Sequence, residues 1–166
     1  MNEEFNDIIN SLINNEKVKE MKNYRQHCNT SCYDHSYSVA YLTYKISKKL
    51  NLDYVSATRG AMLHDLFLYD WRKSKRFNFH AFKHGKIAYL NAKKEFDLND
   101  IESDMIIKHM WPITIKPPKY KEGFVLTIAD KVCASKEILN SLVVFLNDNP
   151  VVRYAYLFYV FVFKNI

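Results

Sequence analysis

The sequence predicts an all-α, single-domain helical bundle, and three observations carry that prediction. Apolar residues recur at spacings of three and four along most of the chain, the pattern of a helix with one buried face. Only 3 Gly and 4 Pro punctuate 166 residues, too few for the many turns of a β fold. Hydrophobic residues make up 48% and aromatics 15%, which argues against disorder and supplies a core. The length points to one domain over 1–166.

Each element has its own warrant. Residues 3–22 carry Phe5, Ile8, Ile9, Leu12 and Ile13 at helical spacing, and residues 28–34 read as a connector. A second helix over about 34–50 places Val39, Leu42, Ile46 and Leu50 on one face, with His35 on that same face. A third over about 53–68 sets Ala57, Ala61 and Leu68 beside His64 and Asp65, and its alanines admit a close neighbour. A fourth over about 80–96 turns Ile87, Ala88 and Ala92 inward. A fifth opens at "NDIE", where Asn99 and Glu102 form a capping box, and Ile101, Met105 and His109 follow at spacings of four. Pro112, Pro117 and Pro118 forbid a helix through "WPITIKPPKY". A sixth helix is expected over about 123–146 and a last one over 151–163, after Pro150. Its run "YAYLFYVFVF" is shorter than the roughly 20 residues a membrane span needs. It is expected as a buried closing helix, with a membrane or homodimer contact as the alternative.

Charge and cysteines narrow the setting. The formal net charge of +6 favours anionic partners. The densest basic patch, 72–76, reads as a solvated turn, so neither nucleic acid nor a membrane is the expected partner. Three cysteines cannot all pair and no signal peptide precedes them, which points to the cytoplasm.

The run "AMLHDLFLYDW", residues 61–71, sets the functional question, because His64 and Asp65 stand side by side among apolar residues. An unpaired charge facing a core is expensive. Adjacent helix positions diverge by about 100°, so the pair does not form one narrow seam. His35, His64, Asp65, His84, His109 and Asp130 come from five predicted helices, each on or beside an apolar face. One such histidine is more often a hydrogen-bonded core residue. Six inert ones would leave five helices each with an unexplained buried polar group. Imidazole and carboxylate ligands suit divalent iron, manganese, zinc or nickel, and a cation among them would neutralise the acids.

The ordered blocks "DHSYSVA", "AMLHDLFLYDW", "HAFKHGKIAYLNA", "IIKHMWPIT" and "ADKVCA" resemble the HD superfamily of metal-dependent phosphohydrolases, over about residues 30–140. The resemblance implies an HD-type helical bundle. It implies that His35, His64, Asp65 and Asp130 match the mononuclear ligand set. His84 and His109 match the extra histidines of a dinuclear branch, which includes diadenosine tetraphosphate hydrolases and HD-GYP phosphodiesterases. Two divalent ions (Fe, Mn, Ni, Co, Zn or Mg) would then be bridged by Asp65. The chain departs from the pattern in three places. "HDLFLYD" stands where many relatives have "HDIGK", Gly85 follows the third histidine where proline is common, and no "GYP" is present, which counts against cyclic-di-GMP. His80 competes with His84 one turn away, and the spacing to the following small residues favours His84.

The implied reaction is hydrolysis of a small phosphorylated substrate, a nucleotide above all, by metal-activated water. His64 and Asp65 carry it, with Asp70 orienting the water or protonating the leaving group. Lys83, Arg72, Lys131 and His80 are the candidate substrate contacts, and Trp71 and Trp111 the candidate base-stacking rings. A rival cluster in "HCNTSCYDH" offers His27, Cys28, Cys32 and His35 to a structural zinc. Two other functions use the same fold: a di-iron oxygenase, and a non-catalytic nucleotide-binding regulatory module.

Overall fold

The computed structural model describes residues 3–73 and 80–163. Among these residues the chain forms eight α-helices and one short 3-10 turn, with no β-strand. The 74–76 part of the basic patch lies outside the described residues.

Helix α1 (Glu3–Ile13) buries Phe5, Ile9 and Leu12. It stops well short of residue 22. Asn15 adopts an extended conformation, and its side chain accepts from the N–H groups of Lys17 and Val18 at 2.8 and 3.4 Å, starting α2 (Glu16–Glu20). The side-chain cap competes successfully with helix continuation. The 3-10 turn Met21–Asn23 follows.

Helix α3 (Cys32–Lys49) starts two residues earlier than expected, because the Ser31 hydroxyl caps the Asp34 N–H at 3.1 Å. Its buried face is also rotated from the expected one. Apart from the large Tyr44, the buried residues His35, Ser36, Val39, Ala40, Thr43 and Ser47 are mostly small, Leu42 and Ile46 lie on the flank, and Leu50 is 56% exposed. The small side chains on this face and the buried Ala57 and Ala61 of α4 (Tyr54–Leu63) let α3 and α4 pack closely, while Gly60 opens toward Glu102 and Met105. Close backbone approach therefore outweighs burial of the larger Leu42 and Leu50.

Helix α4, capped by Asp53, ends at Leu63 rather than near 68. The chain tightens into a turn in which the Leu66 N–H donates to Leu63 O and the Phe67 N–H to Asp65 O, and Leu68 takes φ 54°. Leu66 and Phe67 enter the core from this turn.

Helices α5 (His80–Glu95) and α6 (Asp100–Lys108) match their predicted positions closely. The Asn99–Glu102 capping box is formed, and the buried Glu102 also accepts from Arg59 Nε at 2.5 Å. Gly85 is where α5 meets α6. A Cβ there would stand 2.9 Å from the carbonyl oxygens of both Ile106 and Ile107, so only glycine permits this approach.

Helix α7 (Lys121–Asp148) buries residues only as far as Cys133. Its second half and α8 (Pro150–Phe163) carry exposed apolar side chains, Val151 at 81%, Phe158 at 71% and Phe161 at 70% among them. The expectation of a buried closing helix is therefore wrong. α7 outruns the bundle, and α8 packs mainly on α7, away from the core. No helix among the described residues is long and apolar enough to cross a membrane.

Candidate metal centre

Four helices and the turn after a fifth converge at the end of the bundle. α3 brings His35, the turn after α4 brings His64 and Asp65, and α5 brings His84. The C-terminus of α6 brings His109, and α7 brings Asp130. The unwinding after Leu63 explains the adjacent pair. His64 caps the helix while Asp65 already belongs to the turn, so both side chains reach one centre. The close crossing at Gly85 sets His84 Nε2 2.7 Å from His109 Nε2.

Asp65 lies in the middle. Its Oδ2 is 3.3 Å from His64 Nε2, and its Oδ1 is 3.4 Å from His84 Nε2 and 3.6 Å from His109 Nε2. Asp130 Oδ1 lies 3.0 Å from His35 Nε2 and 3.8 Å from His64 Nε2. Three rings are oriented through their other nitrogen. Nδ1 of His64, His84 and His109 meets the carbonyl oxygens of Ala61, His80 and Ile106 at 2.7, 3.0 and 2.9 Å. A carbonyl only accepts, so Nδ1 carries a proton in each ring, and Nε2 is the atom turned to the centre, available to a cation in the neutral ring.

That arrangement tests whether a cation suits the residues. His64 Nε2 and Asp65 Oδ1 are buried with no hydrogen-bond partner. His84 and His109 point two lone pairs at each other. Buried unpaired acceptors are costly, and a divalent cation is the species that satisfies lone pairs of both kinds. The donor set fits such an ion. Ligand atoms of His35, His64 and Asp130, and of His64, Asp65 and His109, fall within 4.8 Å of one another.

The electrostatics agree with a tightly coupled cluster. Burial disfavours the Asp65 carboxylate, but the His64 and His84 imidazoles overcome it and hold Asp65 well below the usual range. Burial likewise opposes charge on Asp130, and His35 and His64 hold it low. Burial lowers His109 to about 3, helped by His84 and His64. His64 is raised despite complete burial, by Asp65 and Asp130. His35 also overcomes burial and rises to about 9, between the carboxylates of Asp130 and Glu137.

The other candidates are placed differently. His80 stands one turn outside, stacked between His84 (4.6 Å) and Trp71 (5.2 Å), with Nδ1 bonded to the Tyr69 hydroxyl at 2.7 Å. A cleft of about 460 Å³ leads to the centre past Trp71, His80, Met110, Ile113 and Lys131. Lys131 donates to the Trp111 and Thr127 carbonyls at 3.0 and 3.4 Å. Arg72 does not line this cleft. Its guanidinium donates to the carbonyls of Arg25 and Gln26, both at 3.3 Å, and lies over the Trp71 ring, bracing a loop. Asp70 is also outside the cleft, where it accepts from the Arg72 N–H at 3.1 Å and faces Lys73. Lys83 is exposed on α5, away from the cleft wall. Trp111 packs edge-on to Phe124. The cysteine cluster does not gather as a zinc staple. Cys28 is exposed, and Cys32 is buried with its thiol donating to Gln26 Oε1 at 3.3 Å. Burial pushes that thiol up, away from the thiolate a metal needs.

Two further contacts lie outside the residues singled out from the sequence. Gln26 donates its amide to Asp65 Oδ2 from the irregular loop before α3. Glu137 Oε1 pairs with His35 Nδ1 at 3.0 Å. Glu137 follows Asp130 by two helical turns, a spacing that marks it as a residue of the same face. Gln26 has no such periodicity to reveal it.

No curated protein and no solved structure matches the chain. A family model described as HD domain matches residues 32–135, well over half of the sequence. HD domains are in general metal-dependent phosphohydrolases. The matched span holds every one of the six converging side chains, and the chain belongs to the HD-domain family.

Proposed function

We propose that this protein is a metal-dependent phosphohydrolase acting on a nucleotide or another small phosphorylated molecule. The observation that carries the reading is the convergence of unpartnered lone pairs, His64 Nε2 and Asp65 Oδ1, with the facing nitrogens of His84 and His109. His35, His64, Asp65 and Asp130 would hold one divalent ion, and Asp65, His84 and His109 a second. Bound ions of this kind lower the pKa of a ligated water from 15.7 toward about 7 and stabilise charge on phosphoryl oxygens.

The chain's own residues supply the rest. The backbone carbonyls behind His64, His84 and His109 fix the ring tautomers before any substrate arrives. Asp65, held by the Gln26 amide and surrounded by imidazoles, stays ionised. The cleft falls in the size range of small-molecule sites, roughly 300–1,000 Å³. Its wall of Trp71, Met110 and Ile113 suits the organic part of an ester, and Lys131 places positive charge beside the centre.

Metal analysis of protein purified without chelator, followed by a phosphatase and phosphodiesterase panel with Mn, Fe, Ni, Co and Mg, tests the reading. Two ions per chain and phosphate release, lost in His64→Ala and Asp65→Ala, are expected. Protein that keeps its metal but releases no phosphate from any substrate would point instead to a regulatory module. Oxygen consumption with an organic substrate would point to an oxygenase.

A further inference from the structure

His35 differs from the other three rings in how it is held. His64 and His109 stand at helix C-termini, where Nδ1 reaches a carbonyl three residues back, and His84 reaches one four residues back. His35 lies in the first turn of α3, where the carbonyl four residues back, that of Ser31, accepts the His35 main-chain N–H at 3.0 Å. Its Nδ1 meets a carboxylate from another helix instead, Glu137 Oε1 at 3.0 Å. Asp130 Oδ1 sits at the same distance from Nε2. One helix, α7, thus grips both nitrogens of a wholly buried ring, with two residues two turns apart. Glu137 is itself only 13% exposed, and its Oε2 is buried.

We propose that Glu137 is a positioning residue for the metal centre. Its carboxylate accepts the hydrogen bond from His35 Nδ1–H, fixes the ring tautomer and leaves Nε2 as the ligand atom beside Asp130. A charged acceptor makes the imidazole a stronger donor than a main-chain carbonyl does. Glu137 adds a negative charge behind the ligands without becoming one of them. The proposal rests on the metal-centre reading above, and its test leaves turnover aside.

Cobalt(II) binding to the 166-residue chain, measured by chelator competition, reads the effect. Glu137→Gln is expected to lower cobalt affinity by about 10–100-fold, with an unchanged number of ions per chain. The visible cobalt bands shift, while circular dichroism of the metal-free chain stays the same. His27→Gln, on the neighbouring ring 5.2 Å from His35, is expected to leave affinity within about two-fold. Affinity in Glu137→Gln equal to wild type would overturn the proposal. So would the loss of one ion per chain in both variants, since Glu137 and His27 would then be ligands themselves. Should Glu137→Gln not fold, ring-nitrogen NMR of the zinc-loaded wild type decides alone. A proton on His35 Nδ1 supports the proposal and one on Nε2 overturns it. Wild type that binds no cobalt would remove the metal-centre reading as well. Normal wild-type binding with an unaffected variant removes only the role of Glu137.

Discussion

Gln26 illustrates how one side chain can set the geometry of another. The Cys32 thiol donates to Gln26 Oε1, so the amide nitrogen must face Asp65 Oδ2. Gln26→Leu keeps the volume and removes that donor from a buried carboxylate, which should cost about 1–3 kcal/mol in denaturant melts. It should also weaken metal retention. A second residue-scale expectation concerns pH. The Glu4 carboxylate accepts from the Lys48 ammonium and from the Tyr44 and Tyr54 hydroxyls, and these hold its pKa at about 2 against an ordinary 4.5. A lowered carboxylate pKa stabilises the fold above the unfolded value. This contribution is complete above about pH 4.5 and is lost as the pH falls toward 2. Glu4→Gln should flatten that part of the acid unfolding curve, and an unchanged acid limb would show that the cluster contributes nothing. The six converging side chains were legible in the sequence as polar residues on or beside apolar faces. Asp70, Arg72 and Lys83 were misplaced because charge alone does not say which way a turn or helix faces. Gln26 was missed because a loop residue leaves no periodic trace.

Helix ends and crossings build the centre as much as its ligands do. Where α5 crosses α6, the added methyl of Gly85→Ala would collide with two main-chain oxygens rather than a movable side chain. The helices would have to separate beside His84 and His109. Overpacking of this kind should cost about 1–3 kcal/mol, and fewer ions should bind per chain. A variant that melts and binds metal like wild type would contradict this account of the crossing. The capping box at Asn99 and Glu102 was readable because it is made within four residues. The ends of α1 and α4 were not. Asn15 breaks α1 with a cap inside a continuous apolar pattern, and no Gly or Pro announces the stop at Leu63. The rotation of α3 was hidden for another reason. Its packing is decided by the small residues of α4, which lie outside any window along α3 itself.

In the whole molecule, the bundle core ends with Cys133, and no described residue beyond it belongs to the buried cluster. Truncation after Asp148 should therefore change stability by no more than about 1 kcal/mol, and a larger loss in thermal melts would mean that α8 supports the core. Composition and periodicity gave the helical class correctly, since both report burial averaged over the chain. They could not say that an apolar terminal helix lies outside, because periodicity records how apolar a segment is and not what covers it. The claim on which the rest depends is that His35, His64, Asp65, His84, His109 and Asp130 hold divalent metal ions at the base of the cleft. Anomalous diffraction from crystals of protein purified without chelator, collected at the absorption edge of the metal found by elemental analysis, tests this most directly. The account predicts peaks within coordination distance of His64 Nε2, Asp65 and Asp130. Fully folded protein with no peak among these residues, or with its metal at the cysteines, would contradict it.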